Sequence, residues 1–257
     1  MGYFLKEIKA DFCRDGGGHG SQKPNVAYAA GDVFFDWTAF DLPHAAKLVS
    51  VSAVGKGTEG ADQVQPDIQL HFAKSIGGVA PSTLGSLNNA VDAPTIAGGE
   101  GWFNHVIGTC TLDESEIDGG LDTSMIYQTH LSTNLSNRLG SGPGIVLQAE
   151  GGGNNNIYVA GVVADGTPDY GTGVLLNQGS DQAATTTRTT LTVDGISALF
   201  VFAPGDVIAA EDGAAIGTIL EVVSATSIIV DKCTAAIEDD DEICHVSPIR
   251  VFLGFKW

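Results

Sequence analysis

The chain has 257 residues, of which 31 are acidic and 12 basic, so its formal net charge at pH 7 is −19. Hydrophobic residues make up 43% of the chain and charged residues 17%, which excludes a wholly disordered polypeptide. Nucleic acids and anionic membrane surfaces both attract proteins through Lys and Arg. We therefore expect neither a nucleic acid nor a membrane among the partners of this protein.

Apolar and polar residues alternate with a period of two from one end of the chain to the other. Each alternating run predicts a strand with one face on a core. The apolar residues that share a face are Ile8, Ala10 and Phe12; Val49, Val51 and Ala53; Ile68, Leu70 and Phe72; and Ile249, Val251, Leu253, Phe255 and Trp257. One short helix is predicted, over residues 82–90, with Ser82 as its N-cap.

Glycine-rich segments separate these runs and are predicted to be loops, because Gly and Asn tolerate positive φ angles. They cover residues 16–20, 55–60, 141–144 and 150–156. The first 185 residues therefore read as an all-β sandwich, jelly-roll-like in its layout.

The composition of the sequence changes near residue 181, where a polar, Thr-rich segment is typical of an edge strand or a linker. Asp194-Gly195, Pro204-Gly205 and Asp212-Gly213 are turn signals in the segment that follows. Five short strands are predicted there, at 191–193, 199–202, 207–209, 216–223 and 228–230. About that number of strands closes a small barrel. We therefore predict a barrel-like insertion at 186–246, with residues 1–185 and 247–257 forming the sandwich.

Four cysteines occur, at Cys13, Cys110, Cys233 and Cys244. Residues 1–15 mix charged with apolar residues, unlike a secretion signal, and no apolar stretch is long enough to cross a bilayer. We expect folding in a reducing cytoplasm, where these residues are buried thiols.

The sequence holds no recognisable reaction centre. Gly55, Gly57 and Gly60 match the spacing of a dinucleotide fingerprint, but a proline and a strand follow where that motif needs a helix. The six histidines show no metal-ligand spacing, and the adjacent Cys244 and His245 point to opposite faces of a strand. We therefore predict no catalytic, cofactor-binding or metal-binding residue, and no enzyme.

Two further motifs bear on ion binding and on glycosylation. The acidic run at residues 238–242 lacks the spaced pattern of a calcium loop. It predicts a solvated turn, and a weak divalent-ion site is the alternative. Asn134 begins a glycosylation sequon, which carries no weight in a cytoplasmic protein.

Several stretches resemble structural proteins of tailed bacteriophages, and capsid decoration (cement) proteins in particular. They are NNNIYVAGVVADGTPDYGTG (154–173), VFAPGDVIAAEDGAAIGTILEVVSATSIIVD (201–231), the closing strand IRVFLGFKW, AGDVFFDWTAFDLPHAAKLVSVSAVGKG (30–57) and IQLHFAKS (68–75). Together they cover 96 of the 257 residues, a little over a third of the chain, and offer no reactive residue to match.

The resemblance implies a virion protein on the capsid exterior, assembled in the host cytoplasm. Its implied partners are the major capsid protein and further copies of itself, often as a trimer. A head fibre or receptor-binding protein is the first alternative, although Trp37, Trp102 and Trp257 are predicted to lie in a core or an interface. A glycan hydrolase is the second alternative, and it would need two carboxylates roughly 5–10 Å apart in a cleft.

Overall fold

A computed structural model describes residues 2–13, 26–42, 45–55, 66–92, 101–113, 117–118, 125–130 and 145–257, with only the backbone described at 117–118 and 125–130. Several sequence predictions lie outside the described residues: the loops at 16–20, 56–60 and 141–144, the sequon at Asn134, and His19 and His44.

The described chain is almost entirely β-structure. Its strands are, in chain order, β1 (Tyr3–Lys9), β2 (Val33–Asp41), β3 (Ala46–Gly55), β4 (Asp67–Lys74), β5 (Val106–Leu112), β6 (Ile117–Asp118), β7 (Met125–His130), β8 (Ile145–Leu147), β9 (Asn156–Asp165), β10 (Val174–Leu176), β11 (Thr189–Gly195), β12 (Val207–Ala210), β13 (Ala215–Ser224), β14 (Ser227–Val230), β15 (Ile243–His245) and β16 (Ile249–Lys256). A 3₁₀ turn (Trp102–His105) and a one-turn helix α1 (Ala198–Val201) complete the set.

Two antiparallel sheets form the sandwich. The first sheet has the order β1-β16-β3-β7-β6, with β8 also paired to β3, and the second has the order β2-β9-β4-β5. One hydrophobic cluster lies between them and contains the inward side chains of β4 and β16. This arrangement confirms the predicted all-β sandwich. The C-terminal strand β16 is paired on both sides, to β1 and to β3.

Strand β3 departs from the simple alternation that its sequence suggests. Leu48, Val51 and Ala53 are buried, whereas Val49 is half-buried. The register explains the difference, because Leu48 pairs with Phe255 while Ser50 pairs with Gly254, which leaves Val49 as an extra residue. Such a β-bulge shifts the alternation by one residue. The prediction that Val49 shares the core-facing side was therefore wrong.

The helix predicted at residues 82–90 was also wrong. That segment has no regular structure, and isolated bridges tie it to the start of β2. Gly85 and Asn88 have φ angles of +131° and +52°, which an α-helix does not accommodate. Leu84 and Leu87 instead cover the outer side of the second sheet, where they pack with Val33 and Ala160.

The third sheet has the order β10-β11-β14-β13-β12-β15. Its two ends approach each other, because the Leu176 amide donates to the Asp241 carbonyl and the Asp240 amide donates to the Leu176 carbonyl. The result is a nearly closed barrel around a second hydrophobic cluster. The barrel sheet begins at β10, before residue 186, where the sequence placed the start of the insertion.

Residues 199–202 do not form the strand that was predicted. Residues 199–201 belong instead to α1, and Phe202, which caps this helix, donates its amide to the Ala198 carbonyl. One helical turn brings Ala198 and Phe202 into the barrel core and leaves Leu199 and Phe200 on the surface. The predicted turn at Asp212-Gly213 does lie between the paired strands β12 and β13.

The chain crosses between sandwich and barrel twice, after β9 and after β15. The buried Glu242 side chain, just before β15, holds the first crossing to the barrel, because its carboxylate accepts hydrogen bonds from the Thr172 amide and, at 2.7 Å, from the Gly173 amide. The Thr172 hydroxyl donates to the Ile243 carbonyl. A buried charge is stable only with such partners.

We expect Glu242→Ala to lower the free energy of unfolding by about 2–4 kcal/mol, because two amide donors lose their acceptor. Glu242→Gln retains one acceptor oxygen and should lose less. Urea denaturation measures both values, with Glu238→Ala as the control, since Glu238 lies exposed in the same acidic run. Equal losses in Glu242→Ala and Glu238→Ala would contradict the assignment.

Candidate protein-binding surfaces

The first candidate surface for binding another protein is the outer face of the first sheet. Cross-strand partners in an antiparallel sheet share a face, so the register of β1, β16 and β3 groups their outward side chains. These residues, which we name the basic sheet face, are Tyr3, Leu5, Glu7 and Lys9 on β1; Arg250, Phe252, Gly254 and Lys256 on β16; and Lys47, Ser50, Ser52 and Val54 on β3.

The basic sheet face carries four cations and one carboxylate, in a chain whose net charge is −19. Glu7 Oε1 lies 4.0 Å from Lys9 Nζ and 3.4 Å from Arg250 Nη1. Exposed pairs of this kind contribute little stability. Lys256 and Arg250 also lie over the rings of Tyr3 and Phe252, each 5.8 Å from the centroid. The face thus has a local positive charge and a partly aromatic surface.

A shallow apolar groove of about 410 Å³ crosses the end of this face. Tyr3 and Leu5 are 69% and 62% exposed beside it. Gly254, which lines the groove, allows the Ser50 hydroxyl to lie close to the backbone of β16, because a Cβ at that position would clash with it. Trp257 was predicted to continue the buried row of β16, but it is 56% exposed. Its ring packs on Phe4, with the ring centroids 4.8 Å apart.

A second groove, of about 500 Å³, lies at the other end of the face, between sandwich and barrel. Asp206, His245 and Ser247 line it together with Lys9 and Arg250. Sequence reasoning missed this grouping, because its members come from three strands and two loops that are distant in sequence.

The hydrogen bonds in this second groove differ from those of a nucleophilic triad. The Ser247 hydroxyl donates to the Ala10 carbonyl, and His245 Nε2 lies 3.2 Å from the Val201 carbonyl oxygen. Asp206 Oδ2 lies 3.8 Å from His245 Nδ1. A triad needs the serine hydroxyl on the imidazole. Instead, the histidine contacts lie within the barrel, and the serine contact ties the segment after β15 to the end of β1.

The second surface is on the barrel. Leu199 and Phe200, on α1, are 56% and 79% exposed. We name these two residues the barrel apolar turn. Large apolar side chains grouped on a surface are typical of binding sites.

The acidic run at residues 238–242 is more ordered than the solvated turn that was predicted. Glu242 is buried, as described above. The Asp239 carboxylate accepts from the Gln178 and Gly179 amides, and the Asp241 carboxylate accepts from the Glu238 amide. The run therefore shapes its own turn. Within the described ranges, no group of three or more candidate ligands is placed to hold a metal ion.

The four cysteines are free and buried, which confirms that prediction. Burial raises the pKa of the Cys110 thiol to about 12, and burial together with nearby carboxylates raises the pKa of Cys244. Both thiols therefore stay protonated at neutral pH and are poor nucleophiles.

Two tryptophans and two histidines lie on or beside the second sheet. The Trp37 and Trp102 indole groups donate to the Ser82 and Asp92 carbonyls, and both rings pack on the outer cluster of the second sheet. Burial lowers the pKa of His71, and His105 Nδ1 lies 2.8 Å from the Lys74 carbonyl oxygen.

Comparison of the chain with protein-family models, with curated proteins and with solved structures finds no match. In the part of the chain that the structure describes, no helix is long and apolar enough to span a bilayer.

The buried Cys110 thiol predicts a loss of stability at high pH. Its pKa rises from 9.0 to about 12 on folding, so above pH 9 the unfolded chain binds fewer protons than the folded one. The free energy of unfolding should fall with rising pH, by up to about 1.4 kcal/mol per pH unit for this group.

Denaturation between about pH 8 and about pH 11 tests this effect. Cys110→Ala, which has no thiol at that position, should show a shallower decline than the wild type. Parallel declines would refute the contribution of Cys110, because all other groups are common to both proteins.

Proposed function

We propose that this protein is a virion structural protein that binds the outside of a tailed-phage capsid and stabilises it, as a decoration (cement) protein and as a homo-oligomer. The proposed partners are the major capsid protein and other copies of the chain. The observation that carries the proposal is the barrel apolar turn, an exposed aromatic and aliphatic cluster on a strongly acidic protein.

The composition of the barrel apolar turn supports a protein partner. Aromatic side chains are enriched among the few residues that dominate binding energy at protein interfaces. Phe200 is the most exposed of the large apolar side chains in the described residues. Its backbone is already held in a helical turn, which limits the backbone entropy lost on binding.

The charge supports a position outside the shell. Packaged DNA repels a protein with a net charge of −19. An outer surface with many identical sites also suits a modest patch, since several linked weak contacts add up to strong attachment.

The fold supports a structural role through the way it uses its polar groups. The Glu242, Asp239 and Asp241 carboxylates accept backbone hydrogen bonds, and the Cys110 and Cys244 thiols are buried. These groups stabilise the turns and the core of the protein.

Co-sedimentation with empty phage shells tests the proposal. We expect wild-type protein to pellet with shells, and Phe200→Ser to bind at least about tenfold more weakly, because an interface anchor contributes roughly 2 kcal/mol or more. The control is Val79→Ser, which changes another exposed apolar residue (57%), on a tight turn of the sandwich.

Phe200 is exposed, so its replacement should leave the urea midpoint unchanged, and this measurement separates lost binding from lost folding. Wild-type protein that stays in the supernatant with every shell tried would overturn the proposal. Equal binding by both variants would overturn the role of Phe200.

A further inference from the structure

Charge is segregated between the two parts of the chain. The barrel segment from Val174 to His245 contains twelve Asp and Glu against two Lys and Arg, a net charge of −10. The basic sheet face, by contrast, carries Lys9, Lys47, Arg250 and Lys256 against Glu7, a net charge of +3. Surfaces of opposite sign on one molecule can join copies of it.

The most acidic part of the barrel is a compact tip. It consists of Asp181 and residues 238–241, which together carry five carboxylates. The Asp239 amide donates to Asp181 at 3.2 Å, and the Asp241 carboxylate holds the Glu238 amide at 2.9 Å. Among the described residues no ion pair joins these carboxylates to a base. We name this group the acidic tip.

We propose that copies of this protein associate head to tail, with the acidic tip of one copy on the basic sheet face of the next. The inference rests on the proposed function in one respect only, since it names how the oligomer proposed there is built. The two surfaces differ, so the contact is heterologous and can repeat from copy to copy.

Three features favour a second copy as the occupant of the face. The charges are complementary, +3 against −5. Hydrogen bonds to backbone amides fix the Asp239 and Asp241 carboxylates of the tip, so docking orders few side chains. The acidic tip does not line either of the two grooves at the ends of the face in its own chain. The lining residues come from β1, β3 and β16 and from residues 203–207 and 245–247.

The apolar groove adds a second contribution at the same face. Tyr3 and Leu5 lose exposed surface when any partner covers the sheet edge, and apolar burial favours association at roughly 25 cal/mol per Å². The cations then select an acidic partner, because opposite charges steer the approach of two proteins and fix their register.

The test is sedimentation equilibrium of the full chain at about 50 mM and about 500 mM NaCl, because salt screens exposed charges. We expect reversible association that weakens at high salt. The face variant Lys47→Glu/Lys256→Glu and the tip variant Glu238→Lys/Asp240→Asn should each associate on the order of tenfold more weakly at low salt. Asn is chosen at Asp240 because that residue has a φ angle of +69°, which Asn tolerates.

The control is Arg188→Glu/Lys232→Glu, which changes the net charge by the same four units as the face variant but alters neither surface. It should associate nearly as tightly as the wild type and clearly more tightly than the face variant. Urea denaturation checks that each variant is folded.

A wild-type protein that stays monomeric at low salt would overturn the inference, as would association that both variants leave unchanged. Weakening in only one of the two variants would also overturn it, because head-to-tail contact needs both surfaces. A monomer that still pellets with shells would refute this inference and leave the proposed function intact. A salt-sensitive oligomer that never binds shells would refute the proposed function and leave this inference intact.

Discussion

The first crossing from sandwich to barrel depends on one buried carboxylate. Glu242, which lies just before β15, accepts hydrogen bonds from the Thr172 and Gly173 amides at the end of that crossing. Tyr170, in the same crossing, packs with Phe12 and Phe34, with ring centroids 4.7–5.9 Å apart. A buried carboxylate without such donors would be too costly. These contacts therefore hold the first crossing both to the barrel at the start of β15 and to the aromatic part of the sandwich core.

Segregation of charge follows from the same topology. The barrel is a continuous segment, Val174 to His245, and it contains twelve of the 31 acidic residues. The basic sheet face is assembled from both ends of the chain, β1 and β16, together with β3. A net charge of −19 gives a general repulsion between copies. Only a local surface of the opposite sign can offset that repulsion at short range, because exposed charges beyond about 10 Å are screened.

The sequence correctly predicted the buried strand faces that depend on long regular patterns of apolar residues. Ile68, Leu70 and Phe72 are buried as their alternation indicates, and the hydrophobic row of β16 ends at Phe255, one position before Lys256. The failures lie where single residues change the local geometry. A bulge at Val49 reverses the alternation, and the positive φ of Asn88 contributes to the loss of a helix. Neither departure has a strong local sequence signal, because tertiary packing decides which short apolar run bends.

The candidate surfaces were harder to predict than the fold, for a physical reason. Arg250 and Lys256 alternate with the buried row of β16, so their shared outward face was readable from the sequence. Their grouping with Lys9 and Lys47 required the pairing of three strands from opposite ends of the chain, which the period of two does not specify. Phe200 was missed differently, since a strand at 199–202 would have buried every second residue. One helical turn exposes two adjacent apolar side chains instead, and that exposure makes α1 a surface on which a partner protein can pack.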